Sequence, residues 1–150
     1  MTNSPHSDEE VRKFFGRHVP ELAAGTVEIA AISREVGRLM VAVRSHDSSV
    51  HPVSACVGNN RIHPKNISRE LGDEKMSIVL WSESTEAFIR NALSPLPVKG
   101  IMLDAAKHQA QVEVKLENLS LSLKERRAML VRLVSRLVGW DIQLVSNDPK

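Results

Sequence analysis

Apolar positions along this chain fall into short alternating runs interleaved with helical spacings, and the interleaving occurs twice. Ser7 and Glu10 have capping-box spacing ahead of Val11, Phe14 and Phe15, which predicts a first helix ending near Pro20. After Gly25, the residues Val27, Ile29 and Ala31 fall on one face of a strand. Beyond a turn at Glu35 to Arg38, Leu39, Val41 and Val43 alternate in the same way, so the two runs predict a hairpin. His46, Asp47, Ser48 and Ser49 lead into a short apolar turn of Val53, Ala55, Cys56 and Val57. The chain then passes through Gly58-Asn59-Asn60-Arg61 into a helix carrying Ile67 and Leu71, with Pro64 suited to its first turn. Gly72-Asp73 stops that helix, and Met76, Ile78 and Leu80 mark a third strand.

A second pass follows in the same order. Ala87, Phe88, Ile89, Ala92 and Leu93 predict a helix stopped by Ser94-Pro95, and Val98, Ile101 and Leu103 with Val112 and Val114 predict another hairpin. Leu119, Leu121 and Leu123 fit either a strand or one face of a helix. Leu130, Leu133, Val134, Leu137 and Val138 have the spacing of a buried helical face, with Arg132, Ser135 and Arg136 opposite. Gly139 ends that helix, and Trp140, Ile142 and Leu144 close the chain with a strand. The repeated order predicts a tandem repeat of one α+β module, the first over residues 8–81 and the second over 82–146.

Composition narrows the function classes. With 150 residues and 42% hydrophobic content the chain has enough apolar material for a globular core. A net charge of +2 permits nucleic-acid binding without arguing for it, so any basic surface must come from local arrangement. Aromatic residues are 3% of the chain and Tyr is absent, which argues against a platform stacking successive bases on ring faces. A single cysteine, Cys56, excludes an internal disulfide and a multi-cysteine zinc site, and fits a reducing cytoplasm. No apolar run approaches the roughly 18 residues of a membrane span, and the N-terminus lacks the order of a signal peptide. The expectation is a cytoplasmic protein with no membrane partner.

Gly58-Asn59-Asn60-Arg61 is the stretch with chemical potential. A glycine lets the main chain approach a ligand closely, and the amides opening the next helix carry partial positive charge, so such a loop can face phosphate. Gly and Asn also supply left-handed residues to any helix connection, whether or not anything binds. The surrounding residues add to this. HPVSACVGNNR, followed by KNISRELGDEKMSIVLWSES, resembles the first KH module of the NusA family of bacterial transcription factors. The family pattern there is close to DPVGACVG-x-x-G, then an NEL-x-GEK segment, then an IVEWSED-like strand end. VPELAAGTVEIAAISRE, VAVRS, ALSP and GWDIQLVS have counterparts in the same family and order, so the likeness runs from Val11 to Ser146.

The resemblance implies two tandem prokaryotic-type (type II) KH domains, each a three-stranded sheet backed by helices. The polymerase-binding and OB-fold domains that precede them in the full-length family are not represented here. KH modules clamp the backbone of about four nucleotides with a GxxG loop. In the first module Gly58 stands where the family has its first glycine, but Arg61 stands where it has the second. The clamp is therefore altered, although Arg61 can donate phosphate contacts of its own. Pro64 is expected to delay the helix start and lengthen the loop. In the second module, Leu123-Lys124-Glu125-Arg126-Arg127 stands around the family's GKEG-like motif without a glycine, so the ordinary clamp should be missing. Arg126 and Arg127 are expected at a helix N-terminus, where the dipole disfavours cations, so they make most sense beside an anion, either Glu125 or RNA phosphate.

His46, Asp47, His51, Cys56 and His63 have no common ligand spacing, and no Walker loop, GxSxG or acid pair appears. No catalytic residue, metal site or cofactor is expected, and Trp81 and Trp140 read as core residues. The functional expectation is a monomeric single-stranded RNA-binding protein of transcription elongation, termination or antitermination. Its RNA-binding residues are Gly58, Asn59, Asn60, Arg61 and Lys65, then Lys124, Arg126 and Arg127, with RNA polymerase or other transcription factors as further partners. The alternative is a KH-fold scaffold whose lost glycines mean lost RNA binding, docking on the transcription machinery or the ribosome.

Overall fold

The structure is a computed structural model. It describes residues 7–35, 37–94, 96–115 and 121–146, with the backbone alone at 121–124 and 146. The described residues form two compact units that meet in the sequence at Trp81 and Ser82.

In the first unit the Ser7 hydroxyl accepts from the Glu10 amide and the Glu10 carboxylate accepts from the Ser7 amide, closing a capping box at the start of α1 (Asp8–His18). Pro20 does not simply follow that helix: it occupies the first turn of a short α2 (Pro20–Ala23). β1 (Val27–Glu35) and β2 (Arg38–Ser45) pair antiparallel as the hairpin predicts. A register shift between Ile29 and Ala31 changes the facing, so Ile32 packs against the core cluster where strict alternation put Ala31. β3 (Lys75–Leu80) lies parallel to β2, giving the order β1-β2-β3. A parallel neighbour requires a crossover, and α3 (Pro52–Val57) and α4 (Ile62–Glu70) supply it. Val11, Phe15, Val27, Leu39, Val41, Val43, Cys56 and Ile67 are buried together between helices and sheet. Each such side chain contributes roughly 1.5–3 kcal/mol of burial.

The second unit repeats the sheet. β4 (Val98–Asp104) and β5 (Gln109–Val114) are antiparallel, β6 (Asp141–Ser146) is parallel to β5, and the first strand again carries a shift near its start, between Val98 and Gly100. α5 (Thr85–Leu93), capped by Ser84, packs against α6 (Leu121–Val138). Leu133, Val134 and Leu137 are buried, while Arg132 and Arg136 are exposed. The Ser135 hydroxyl on that outer side is drawn in, accepting from the Ile142 amide at 3.1 Å. Leu121 and Leu123 resolve as helix; Leu119 lies outside the described residues.

Neither tryptophan is a core residue. Both are half-buried, with the Arg44 guanidinium 4.8 Å over the Trp81 ring and the His108 ring 4.7 Å from Trp140. Aromatic bodies with a polar group on one face belong at the margin of a core.

Candidate nucleic-acid interface

The junction of α3 and α4 is built from the backbone up. Val53, Ala55, Cys56 and Val57 form one and a half turns of helix, with the His51 Nδ1 accepting from the Ser54 amide at 3.3 Å as its cap. Gly58 ends the helix at φ 73°, ψ −179°, a region essentially confined to glycine. A Cβ there would meet the His63 ring at 2.5 Å, so both backbone angle and space require glycine. Asn59 to Arg61 make a single 3-10 turn, with Asn60 at φ 56° and Arg61 at φ 58° in the left-handed region. Asn tolerates that region; for Arg it costs of order 1–2 kcal/mol.

α4 then starts at Ile62. This corrects the expectation that Pro64 delays the helix: Pro64 is its third residue, buried, in the first turn where a missing N–H breaks no helical bond. The loop is consequently short. Its amides divide into two pairs. Those of Gly58 and Arg61 are used internally, donating to the Ser54 carbonyl at 2.9 Å and the Gly58 carbonyl at 3.4 Å. Those of Asn59 and Asn60 donate to no acceptor among the described residues, and both residues are exposed.

The electrostatics of this helix start are unlike those of its neighbours. α1 opens with Asp8, Glu9 and Glu10, and α5 with a Ser84 cap and Glu86, which suit the positive end of the helix dipole. α4 has no side-chain cap and no acidic residue in its first turn, and the residue at its cap position is Arg61. Arg61 and Lys65 are exposed and have no carboxylate partner among the described residues. An uncapped N-terminus beside free cations favours an anion.

The second unit lacks this construction. From Leu121 to Val138 the chain is one unbroken helix, so no loop interrupts it where the family's second clamp would be. Arg126 and Arg127 therefore lie within the helix, at its second turn, and not at its N-terminus as expected; without a glycine, nothing breaks the hydrogen-bond ladder there. Arg126, exposed, is already engaged by another group of the chain, and Arg127 is half-buried. Lys124 lies on the helix, in the part described by backbone alone. The structure thus brings Gly58, Asn59, Asn60, Arg61 and Lys65 together in one place and sets the other three on a separate helix.

The remaining chemistry-bearing residues have structural employment. His46 Nε2 lies 2.6 Å from the Glu28 carboxylate, which also accepts from Arg44 at 3.2 Å. These two hydrogen bonds, His46 first, hold the Glu28 carboxyl below its ordinary value. Asp47 accepts from the Ser49 hydroxyl and amide, which lowers its pKa. Cys56 is fully buried, and loss of hydration together with the charge of Glu21 pushes its thiol up to about 12. A thiol so placed is not a nucleophile at neutral pH. No cluster of three metal-ligating side chains occurs among the described residues, and no described helix is long and apolar enough to cross a membrane.

Comparison with known proteins gives a consistent family. A model described as NusA-like first KH domain matches residues 6–81, and one described as NusA-like second KH domain matches residues 85–150. The chain is 46% identical over 127 residues to the transcription termination/antitermination protein NusA of Thermus thermophilus, covering 84% of the chain and 33% of that protein. It is 38% identical over 140 residues to the NusA of Rickettsia conorii, covering 91% of the chain and 28% of that protein. The chain thus spans about a third or less of the curated relatives it matches. Among solved structures, the crystal structure of APE1850 superimposes with a TM-score of 0.62 at 18% identity, over 93% of this chain and 96% of that one, a likeness of fold.

Proposed function

The chain belongs to the NusA-like KH family, with two KH domains in tandem, and from that premise we propose that it binds single-stranded RNA through its first domain, in transcription termination or antitermination. The observation that carries this reading is the start of α4: two unfilled amides at Asn59 and Asn60, no cap, no acid, and free cations at Arg61 and Lys65. The two amides and the Arg61 guanidinium donate to phosphate oxygens, and Lys65 adds a point charge one turn along. Gly58 serves by turning the chain, since its own amide is used internally. The grip is thus half main chain and half side chain, with Arg61 in place of a second glycine. Lys124, Arg126 and Arg127 contribute at most long-range attraction. The protein acts as a monomer in the cytoplasm, with RNA polymerase or other transcription factors as further partners.

The test is fluorescence anisotropy with short single-stranded RNAs at low and moderate salt. Binding should weaken as salt rises, with a slope of about −0.7 per phosphate contact. Arg61→Ala should weaken binding by roughly tenfold, the worth of a charge-assisted hydrogen bond. The Arg126→Ala/Arg127→Ala pair should change it by less than about threefold. Absent or salt-insensitive binding would favour a scaffold that docks on protein.

A further inference from the structure

Beyond the loop, the outer face of α4 extends the cations of the clamp by one more, Arg69. Arg61 stands at the cap position, and Lys65 and Arg69 follow at intervals of four residues, each exposed. Four residues advance a helix by about 6 Å and turn it slightly past one revolution, so Lys65 and Arg69 point the same way. Ile62, at 44% exposure one of the few open large apolar residues, lies on that same side of the helix. Neither Lys65 nor Arg69 has an acidic partner among the described residues.

The acid nearest in sequence does not neutralise the row. Glu70 lies about 100° further round the helix from Arg69. Its carboxylate is held by α1, by Arg17 Nη1 at 2.9 Å and His18 Nε2 at 2.8 Å. Like charges at i and i+4 destabilise a helix by a few tenths of a kcal/mol, and no carboxylate among the described residues pairs with either cation, although Arg69 in the last turn is favoured by the helix dipole. A row of evenly spaced unpaired cations with one apolar residue among them matches an extended strand, whose phosphates repeat regularly and whose bases and sugars offer apolar surface.

We infer that this face of α4 continues the RNA track past the loop: Ile62 packs under a base or ribose between the phosphates held by Arg61 and Lys65, and Arg69 takes a further phosphate beyond those. The row ends at the Gly72-Asp73 turn, where an exposed carboxylate repels further phosphate. The inference rests on the proposed RNA binding and adds a length: the preferred strand is longer than the clamp alone requires.

The experiment compares anisotropy titrations of a tetra- and an octa-uridylate, lengths at and beyond the clamp's four nucleotides, with the native chain and its Arg69→Gln, Arg69→Lys and Arg61→Ala variants. The native chain should bind the octamer more tightly than the tetramer. Arg69→Gln should leave the tetramer unchanged, weaken the octamer roughly three- to tenfold, and reduce the salt slope for the octamer by about 0.7, the loss of one phosphate contact. Arg69→Lys should restore the slope, and thermal unfolding of all three should show the fold intact. An octamer bound equally by the native chain and Arg69→Gln, or an equal loss on both lengths, would overturn the extended track while Arg61→Ala still reports on the loop. No binding of either length by the native chain would overturn the parent reading and this one together.

Discussion

Between the second and third strands of its sheet, the first unit breaks the chain into α3 and α4 at Gly58, whereas the described part of the second unit runs as one helix from Leu121 to Val138. Both segments do the same topological work, carrying the chain over to a parallel strand, and both sheets have the same order and the same early bulge. The fold therefore does not require the break. Yet the break carries costs: a glycine-only conformation at Gly58, left-handed backbone at Asn60 and Arg61, and a helix start with a cation and no cap. Strain of this sort persists where something else depends on it. The difference between the units is the physical reason for placing RNA binding in the first.

The comparison breaks most sharply at the two helix-ending glycines. Gly58 and Gly139 have similar positive φ, 73° and 78°, but a Cβ on Gly139 would meet nothing within 4 Å while one on Gly58 would meet the His63 ring. Gly139→Ala should cost about 1–2 kcal/mol, the backbone penalty alone. Gly58→Ala should cost about 3 kcal/mol, because backbone strain and overlap add. Urea unfolding followed through Trp81 in a Trp140→Phe background reports the first unit, and through Trp140 in a Trp81→Phe background the second. A Gly58→Ala/His63→Ala double variant should recover the overlap and leave the backbone cost. Equal costs at the two glycines would show that the His63 contact is not part of the junction.

A smaller effect sharpens the comparison through its sign. At Arg61, in left-handed backbone, Arg61→Gly should be more stable than Arg61→Ala by about 1 kcal/mol. At Arg127, inside a continuous helix, Arg127→Gly should be less stable than Arg127→Ala by about the same amount. Denaturant midpoints of the four variants decide it, and the same order at both positions would mean that Arg61 and Arg127 stand in the same kind of backbone. Arg61→Gly also separates the two parts of the proposed grip: with a GxxG pattern restored and the guanidinium gone, RNA affinity close to native would assign it mainly to the amides.

Much of this was legible in the sequence, and the failures have physical causes. The hairpins, the Ser7 capping box and the buried face of α6 rest on local periodicity and local hydrogen bonds, which a sequence carries openly. The bulge after Ile29 was not legible, because an added strand residue leaves no trace in composition. Gly58 could be marked as special, but not the occupation of its amide by Ser54 or the His63 ring against its Cα, which depend on the closure of the turn. Arg126 and Arg127 lie in the second turn of α6 and not at a helix start, because without a glycine the helix runs uninterrupted from Leu121. The i, i+4, i+8 spacing of Arg61, Lys65 and Arg69 stands in the sequence unremarked, and it becomes a row of cations only once α4 is seen to start at Ile62 and Glu70, the neighbouring acid, to be turned toward α1.

That turning of Glu70 gives the smallest effect and concerns how a broken crossover is held in position. α4 is separated from α3 by a strained turn, and Glu70 ties its C-terminal end to α1 through Arg17 and His18. Hydrogen bonding from His18, and then the positive charges of His18 and Arg17, hold the Glu70 carboxyl below its ordinary value of 4.5. A carboxyl depressed in the folded state stabilises it at pH values above the unfolded pKa, and that stabilisation disappears as pH falls through the folded pKa. Glu70→Gln should therefore lower the unfolding midpoint of the first unit slightly at neutral pH and low salt. The gap between variant and native should close as pH drops below about 4.5 and as salt rises, since exposed ion pairs are screened. The contact links two helices, so its loss should also loosen α4 against α1, read as faster amide exchange in residues 65–70 at neutral pH than in the native chain. A midpoint difference that persists unchanged to acid pH would mean that Glu70 acts by packing alone and that the ion pair does not hold the helix.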